Sequence, residues 1–258
     1  MEQEAINEPL QSATGSGIDD AALRQALLAE IERIANAEER WHAVQHLYRY
    51  LETIKCCPPG PALVLDLGYS PIYSEVLRQL YGYTIDYIKG LRINFEADRY
   101  PYDDASLDGA LCCEVIEHYT DDPMFSMIQP NRIIKPGGWL LLTTPNVASW
   151  EAIYRALRMD KHPSRYPVYA AGGLGAHCIH VREYLPDEVA KLMEAAGFEV
   201  QFLHTRNYDP ARHYPPIAGY PETHRGETIF CLGRKRSRPL KRFVAGIYGQ
   251  DVPFDNSR

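Results

Sequence analysis

The sequence lacks any run of about 20 apolar residues, the length an α-helix needs to cross a bilayer. Its opening residues, Met1 to Leu10, are acidic and polar. They carry neither the basic segment nor the apolar stretch of a secretory leader. None of the six cysteines (Cys56, Cys57, Cys112, Cys113, Cys178, Cys231) sits in a CxxC pair, which argues against a structural zinc site. Together these absences point to a reducing, cytoplasmic setting with free thiols. Positive charge is in deficit too: 27 Lys and Arg stand against 34 Asp and Glu, a formal net charge of -7. An acidic surface repels phosphate backbones and anionic lipid, so neither nucleic acid nor a membrane is expected as a partner. The one basic run, Arg234-Lys235-Arg236-Ser237-Arg238, reads as part of a solvated tail over 234–258. No internal repeat and no GxGxxG run is present, so a nicotinamide-dependent oxidoreductase is a poor match.

What is present fits one α/β domain with short additions, in a chain of 258 residues. Residues 1–17 are polar and expected to be disordered. Asp19 or Asp20 can cap a helix carrying Leu23, Leu27, Leu28, Ile31 and Ile34. A second helix is expected over 37–54, with Trp41, Val44, Leu47, Tyr48 and Leu51 on one face. Cys56-Cys57-Pro58-Pro59-Gly60 ends it, closing a helical cap over 1–60. Short apolar runs then alternate with helical patterns over 61–233. Strands are expected at 62–68, 83–88, 106–113, 139–144, 198–204 and 227–232. Helices are expected after Gly68, with Val76, Leu77 and Leu80 inward and Gly82 as the stop, and over 124–134 and 186–196. This alternation implies a doubly wound, mostly parallel sheet.

Four segments carry a resemblance. They are Val64-Leu65-Asp66-Leu67-Gly68, the stretch Leu107 to His118 (LDGALCCEVIEH), the stretch Arg132 to Asn146 (RIIKPGGWLLLTTPN), and Leu192 to Val200 (LMEAAGFEV). In this order they resemble the class I S-adenosylmethionine-dependent methyltransferases, and within them the branch with an E-V-[IL]-E-H signature. The resemblance spans about 61–233 and implies a Rossmann-like class I methyltransferase fold. It places adenosylmethionine beyond the carboxyl ends of the strands, near Asp66, Gly68, Tyr69, Ser70, Cys113 and Glu114. Gly68 would let the backbone approach the ligand, and carboxylates such as Asp66 would balance its positive groups. Phe95-Glu96-Ala97-Asp98 resembles the family's adenine-side segment, so Glu96 and Asp98 are candidates for the adenine amino group, or for a solvated acidic turn.

The chain departs from that family at three places. The first loop usually reads G-x-G-x-G and here reads Gly68-Tyr69-Ser70-Pro71-Ile72, although related glycan and natural-product enzymes use G-x-S-P-G. The ribose-binding acid is expected at Lys89, a residue with no acceptor, and Asp86 lies near it. The stretch 89–94 is too short for a crossover helix, so the usual second helix is expected to be missing and the third strand truncated.

Glu114, Glu117 and His118 follow a strand at helical spacing, so a helical turn beginning at Glu114 would put all three on one face. Such a set can bind Mg²⁺ or Mn²⁺. The resemblance to small-RNA 2′-O-methylating and ubiquinone-pathway enzymes implies the same, and the small-RNA type implies a further histidine ligand, matched by His180 in His180-Val181-Arg182-Glu183-Tyr184, with His177 as the near alternative. Alternatively His118 is a general base with Glu117 beside it. Segments 146–181 and 207–225 read as substrate lids, with Arg206 and Arg212 available for an acidic group. Two functions stay open at this point. One is an O-directed methyltransferase acting on a glycan-derived or natural-product small molecule. The other is a methyltransferase-fold protein without activity that serves as a binding or partner subunit.

Overall fold

The computed structural model describes residues 19–88, 93–120, 122–159, 180–239, 243–245 and 251–253. Three helices come first: α1 (Asp20–Glu32), α2 (Ala37–Gln45) and α3 (Leu47–Cys56). Asp19 caps α1 by accepting a hydrogen bond from the Ala22 N–H, and Asn36 caps α2 through Glu38 and Glu39. The single helix expected over 37–54 is therefore two. His46, at φ -99° and ψ 8°, breaks it, and the expected apolar face splits. Leu47 and Leu51 are buried, while Trp41, Val44 and Tyr48 are exposed.

The sheet follows as β1 (Leu63–Asp66), α4 (Pro71–Tyr81), β2 (Thr84–Asp86), β3 (Leu107–Cys113), a 3₁₀ turn (Ile116–His118), α5 (Pro123–Ile133) and β4 (Ile134–Pro145). Then come α6 (Trp150–Leu157), α7 (Pro186–Ala195), β5 (Phe198–Arg206) and β6 (Thr228–Lys235). The six strands lie in the order β2-β1-β3-β4-β6-β5. The first four run parallel, and β6 runs antiparallel to both its neighbours. A separate two-stranded pair, β7 (Phe243–Ala245) with β8 (Asp251–Pro253), completes the described chain.

The pleat decides which side each strand residue serves. Val64, Leu111, Leu141 and Phe230 face a core built with α1, α3 and α4. Leu65, Ala110, Leu140, Leu142 and Ile229 face a second core built with Met127, Val189 and Met193. The result is a three-layer α/β/α domain with the N-terminal helices as part of one layer. Gly82 ends α4 at φ 71°, in the left-handed region glycine favours. Leu80, expected inward, is exposed. The Lys135-Pro136-Gly137-Gly138 turn is absorbed into β4, where the register with β3 jumps between Leu107–Ile134 and Gly109–Trp139. Likewise, Arg234 and Lys235 of the basic run belong to β6. Among the described residues no strand pairs with the outer side of β2, and 93–106 form turns.

Candidate active site

The loop after β1 is organised by one buried carboxylate. Asp66 accepts from the Gly68 N–H (3.0 Å), the Ser70 N–H (3.0 Å), the Tyr73 hydroxyl (3.1 Å) and the Ser74 hydroxyl (3.0 Å). Both oxygens are thus spent on the loop and on the start of α4. Asp66, expected at the ligand, shapes the loop from beneath instead, since it is 1% exposed. Burial raises its pKa to about 6, against those four hydrogen bonds. Gly68 is required by packing: a Cβ there would lie 2.5 Å from the Cys113 carbonyl oxygen.

Beyond this loop opens a cavity of about 440 Å³, a size ordinary for small-molecule sites. Gly68, Tyr69, Ser70, Cys113, Glu114 and Thr143 line it from the carboxyl ends of β1, β3 and β4. His42, Arg49 and Tyr50 line it from α2 and α3. Tyr69 and Glu114 both adopt positive φ, 49° and 56°, a costly conformation for residues with a Cβ and one that clusters at functional sites. Tyr69 is 60% exposed and sets its ring edge-on to Tyr87 at 5.0 Å. The bulky loop therefore takes a new path and leaves the space open.

Glu114 is held on both oxygens, by Arg49 at 2.8 Å and by the Thr143 hydroxyl at 2.9 Å. Burial works against the Arg49 charge. Glu114, Tyr208 and Tyr50 outweigh it and hold the guanidinium protonated above its ordinary range. This pairing separates Glu114 from the other acidic residue of its motif. Glu114 starts no helical turn, because its positive φ directs the chain elsewhere before the 3₁₀ turn begins. The expectation that it shares a face with Glu117 and His118 is corrected on that point.

Glu117, His118 and His180 do come together, with ligating atoms all within 4.8 Å of one another. The link is main-chain: the Val181 N–H donates to the Glu117 carbonyl at 2.8 Å, bringing in the segment that carries His180. The His118 and His180 rings meet edge to face at 5.1 Å, and His118 Nε2 lies 3.9 Å from Glu117 Oε1. Glu117 is fully buried. Its Oε2 accepts from the Thr144 hydroxyl at 2.9 Å, while Oε1 has no hydrogen-bond donor among the described residues. Burial, with the Glu114 charge nearby, pushes the Glu117 carboxyl well above the usual range. Thr143 and Thr144 are neighbours on β4 and point to opposite faces, so Thr143 serves the cavity wall with Glu114 while Thr144 holds Glu117, which is not among the lining residues.

Other expected residues lie elsewhere. Glu96 accepts from the Thr120 and Asp122 N–H groups, and Asp98 from the Asn94 N–H. Both carboxylates tie down turns, so they are not aimed at an adenine pocket among the described residues. β2 ends at Asp86, which accepts from the Tyr102 hydroxyl at 3.0 Å. Asp86, not Lys89, is thus the acid at the end of β2, and Lys89 lies outside the described residues, as does most of the lid at 146–181. Arg206 pairs with Glu52 at 3.5 Å and Arg212 with Glu227 at 3.7 Å, so neither is held ready for an acidic ligand.

Against this geometry, residues 59–202 match a family model described as a methyltransferase domain. The chain is a member of that methyltransferase family. A curated relative from Mycolicibacterium smegmatis, named a probable S-adenosylmethionine-dependent methyltransferase, is 28% identical over 203 residues, covering 72% of this chain and 70% of its own. Among solved structures, one chain of the complex between the Haloferax volcanii Trm112 methyltransferase activator and its candidate methyltransferase superposes with a TM-score of 0.54. It has 16% identity, over 83% of this chain and 98% of that one. A SAM-dependent methyltransferase from Archaeoglobus fulgidus gives 0.50 and 13% identity, over 75% and 94%. At such identities the superpositions establish the fold. This methyltransferase uses adenosylmethionine, and the cavity opens at the carboxyl ends of β1, β3 and β4, where such a fold takes its ligand. Arg49 and Glu114 on its wall are paired with each other, so a bound amino-acid end would have to exchange with that pair.

Proposed function

We propose that this methyltransferase moves the methyl group of adenosylmethionine to a hydroxyl of a glycan-derived or natural-product small molecule. The observation that carries this reading is the convergence of Glu117 and His118, in the turn after the carboxyl end of β3, with His180. In-line displacement at a methyl carbon needs an oriented acceptor and a group to take its proton. His118 is the proposed base, since imidazole exchanges a proton near neutral pH, and Glu117 orients it from 3.9 Å. Arg49 and Glu114 are proposed to receive the amino-acid end of adenosylmethionine, with Gly68, Tyr69, Ser70 and Cys113 as the neighbouring wall. Tyr154 and Tyr214, stacked at 6.0 Å beyond the carboxyl end of β4, offer flat faces of the kind that pack on sugars and rings. The acidic surface speaks against a nucleic-acid acceptor.

A divalent cation is the second part of the reading. Glu117, His118 and His180 would hold it, and one carboxylate with two imidazoles suits Mn²⁺ better than Mg²⁺. Bound there, a cation would lower the pKa of an acceptor hydroxyl. The buried, donorless Glu117 oxygen supports this, because such an atom is costly unless a proton or a cation meets it. A role as an inactive partner subunit is disfavoured, since Tyr69 and Ile72 border the cavity without filling it.

The test is calorimetric titration with adenosylmethionine, followed by transfer of a labelled methyl group to a panel of hydroxyl, amine and carbon acceptors. Saturable binding with transfer to hydroxyls alone is expected. Transfer confined to amines would overturn the O-directed part. Absence of binding at millimolar ligand would overturn the whole reading.

A further inference from the structure

A second cluster of ligating side chains lies away from the cavity. Glu52 and Cys56 are one helical turn apart on α3, so they share a face. That face meets His204 of β5, the edge strand of the sheet. His204 Nε2 lies 2.7 Å from Glu52 Oε1 and 3.9 Å from Cys56 Sγ, and one ligand atom from each of the three residues falls within 4.8 Å of the others. The imidazole stacks against Phe202, on its own strand, and against Phe230, its cross-strand partner, at 5.4 Å from each ring. Those rings fix its plane and aim Nε2 at the helix.

The geometry excludes a nucleophilic triad. A relay needs the base to touch its nucleophile with one ring nitrogen and its orienting acid with the other. Here both partners converge on Nε2. Convergence of sulfur, nitrogen and oxygen on one point is instead what a metal ion requires. Ligand atoms around tetrahedral zinc lie about 3.3–3.5 Å apart, given bonds of about 2.0 Å to nitrogen or oxygen and about 2.3 Å to sulfur. The two separations at His204 Nε2, 2.7 and 3.9 Å, bracket that value, and no separation in the set exceeds 4.8 Å.

We infer that Glu52, Cys56 and His204 form a Zn²⁺ site that clasps the N-terminal helices to the edge of the sheet, with water as the fourth ligand. A helical Glu-x-x-x-Cys joined by a distant strand histidine contains no CxxC pair, so no local motif announces it. On binding, the Cys56 thiol releases its proton to solvent, and His204 moves its ring proton from Nε2 to Nδ1, so that the ion takes the place of the proton between Nε2 and Glu52. Arg206, 3.5 Å from Glu52 Oε1, competes for that carboxylate. Its side chain is 58% exposed and can turn to solvent.

The test uses the full chain, stripped with a chelator and titrated with Co²⁺ alone, read by the near-ultraviolet charge-transfer band of a cobalt thiolate. Co²⁺ is expected to raise the band to saturation, and C56S is expected to abolish it. The Glu117 cluster holds no sulfur, so Co²⁺ bound there adds no such band, and the outcome is independent of the methyl-transfer reading. Absence of the band in folded wild-type protein, or an equal band in C56S, overturns the proposal. Should C56S fail to fold by circular dichroism, E52Q and H204Q decide: each is expected to weaken Co²⁺ binding at least about tenfold, and wild-type affinity in both overturns it.

Discussion

The Arg49 guanidinium lies 2.8 Å from Glu114 Oε2, joining a helix of the N-terminal layer to the residue just past β3. Through this pair the helices preceding the methyltransferase sheet become part of its cavity wall. Both side chains are largely buried, at 15% and 17% exposure. Removing one partner leaves the other charge short of compensation.

Arg49→Leu is therefore expected to destabilise the fold by about 3 kcal/mol and to weaken adenosylmethionine binding at least about tenfold. Urea denaturation and calorimetry measure the two effects. An unchanged midpoint together with unchanged affinity would show the pair to be incidental.

Gly68→Ala places a methyl group 2.5 Å from the Cys113 carbonyl. Overpacking of this kind costs about 1–3 kcal/mol and would push the loop toward the cavity. Gly137→Ala, where nothing lies within 4 Å, meets no such clash and tests backbone strain alone. A smaller loss of urea midpoint at Gly68 than at Gly137 would contradict the packing account.

Asp66 carries a pH dependence. Its folded pKa is raised to about 6 from 3.8, so between those values the folded chain holds the proton more tightly than the unfolded one. This group's contribution to stability is complete below pH 3.8 and declines by about 3 kcal/mol as pH rises through about 6. The stability advantage of wild type over Asp66→Asn should shrink by most of that amount between about pH 4 and pH 7. An advantage that grows over this range would mean that the four hydrogen bonds outweigh burial.

At the proposed base, His118→Ala should lower kcat about 10²- to 10⁴-fold while the affinity for adenosylmethionine stays within about twofold. A loss of affinity with kcat preserved would assign His118 to binding.

For the proposed cation, chelator should lower activity and Mn²⁺ restore it, whereas Glu117→Ala or His180→Ala should leave little response to Mn²⁺. Wild-type activity indifferent to chelator would leave His118 acting without a metal.

Most of the fold is legible in the sequence because local periodicity and punctuation report it directly. Short apolar runs set between turn and helix signals give the parallel strands, the first ending in Asp66-Leu67-Gly68, and Gly82 stops α4 as expected. Misreadings came where a single residue changed the backbone path. His46 divides the second helix, and Glu114 turns left-handed before the helical turn its spacing suggested.

The sequence by itself determined the class of the domain, the order of its elements and the motif that brings Glu117 next to His118. Tertiary structure alone decided that Arg49 reaches Glu114, that Asp66 spends its charge inside a loop, and that Glu52 and Cys56 meet His204. Each of these pairings spans a wide gap in the chain or depends on which way a buried carboxylate points. The physical reason is that spacing along a chain sets which residues share a helix or strand face, whereas only packing sets which faces meet.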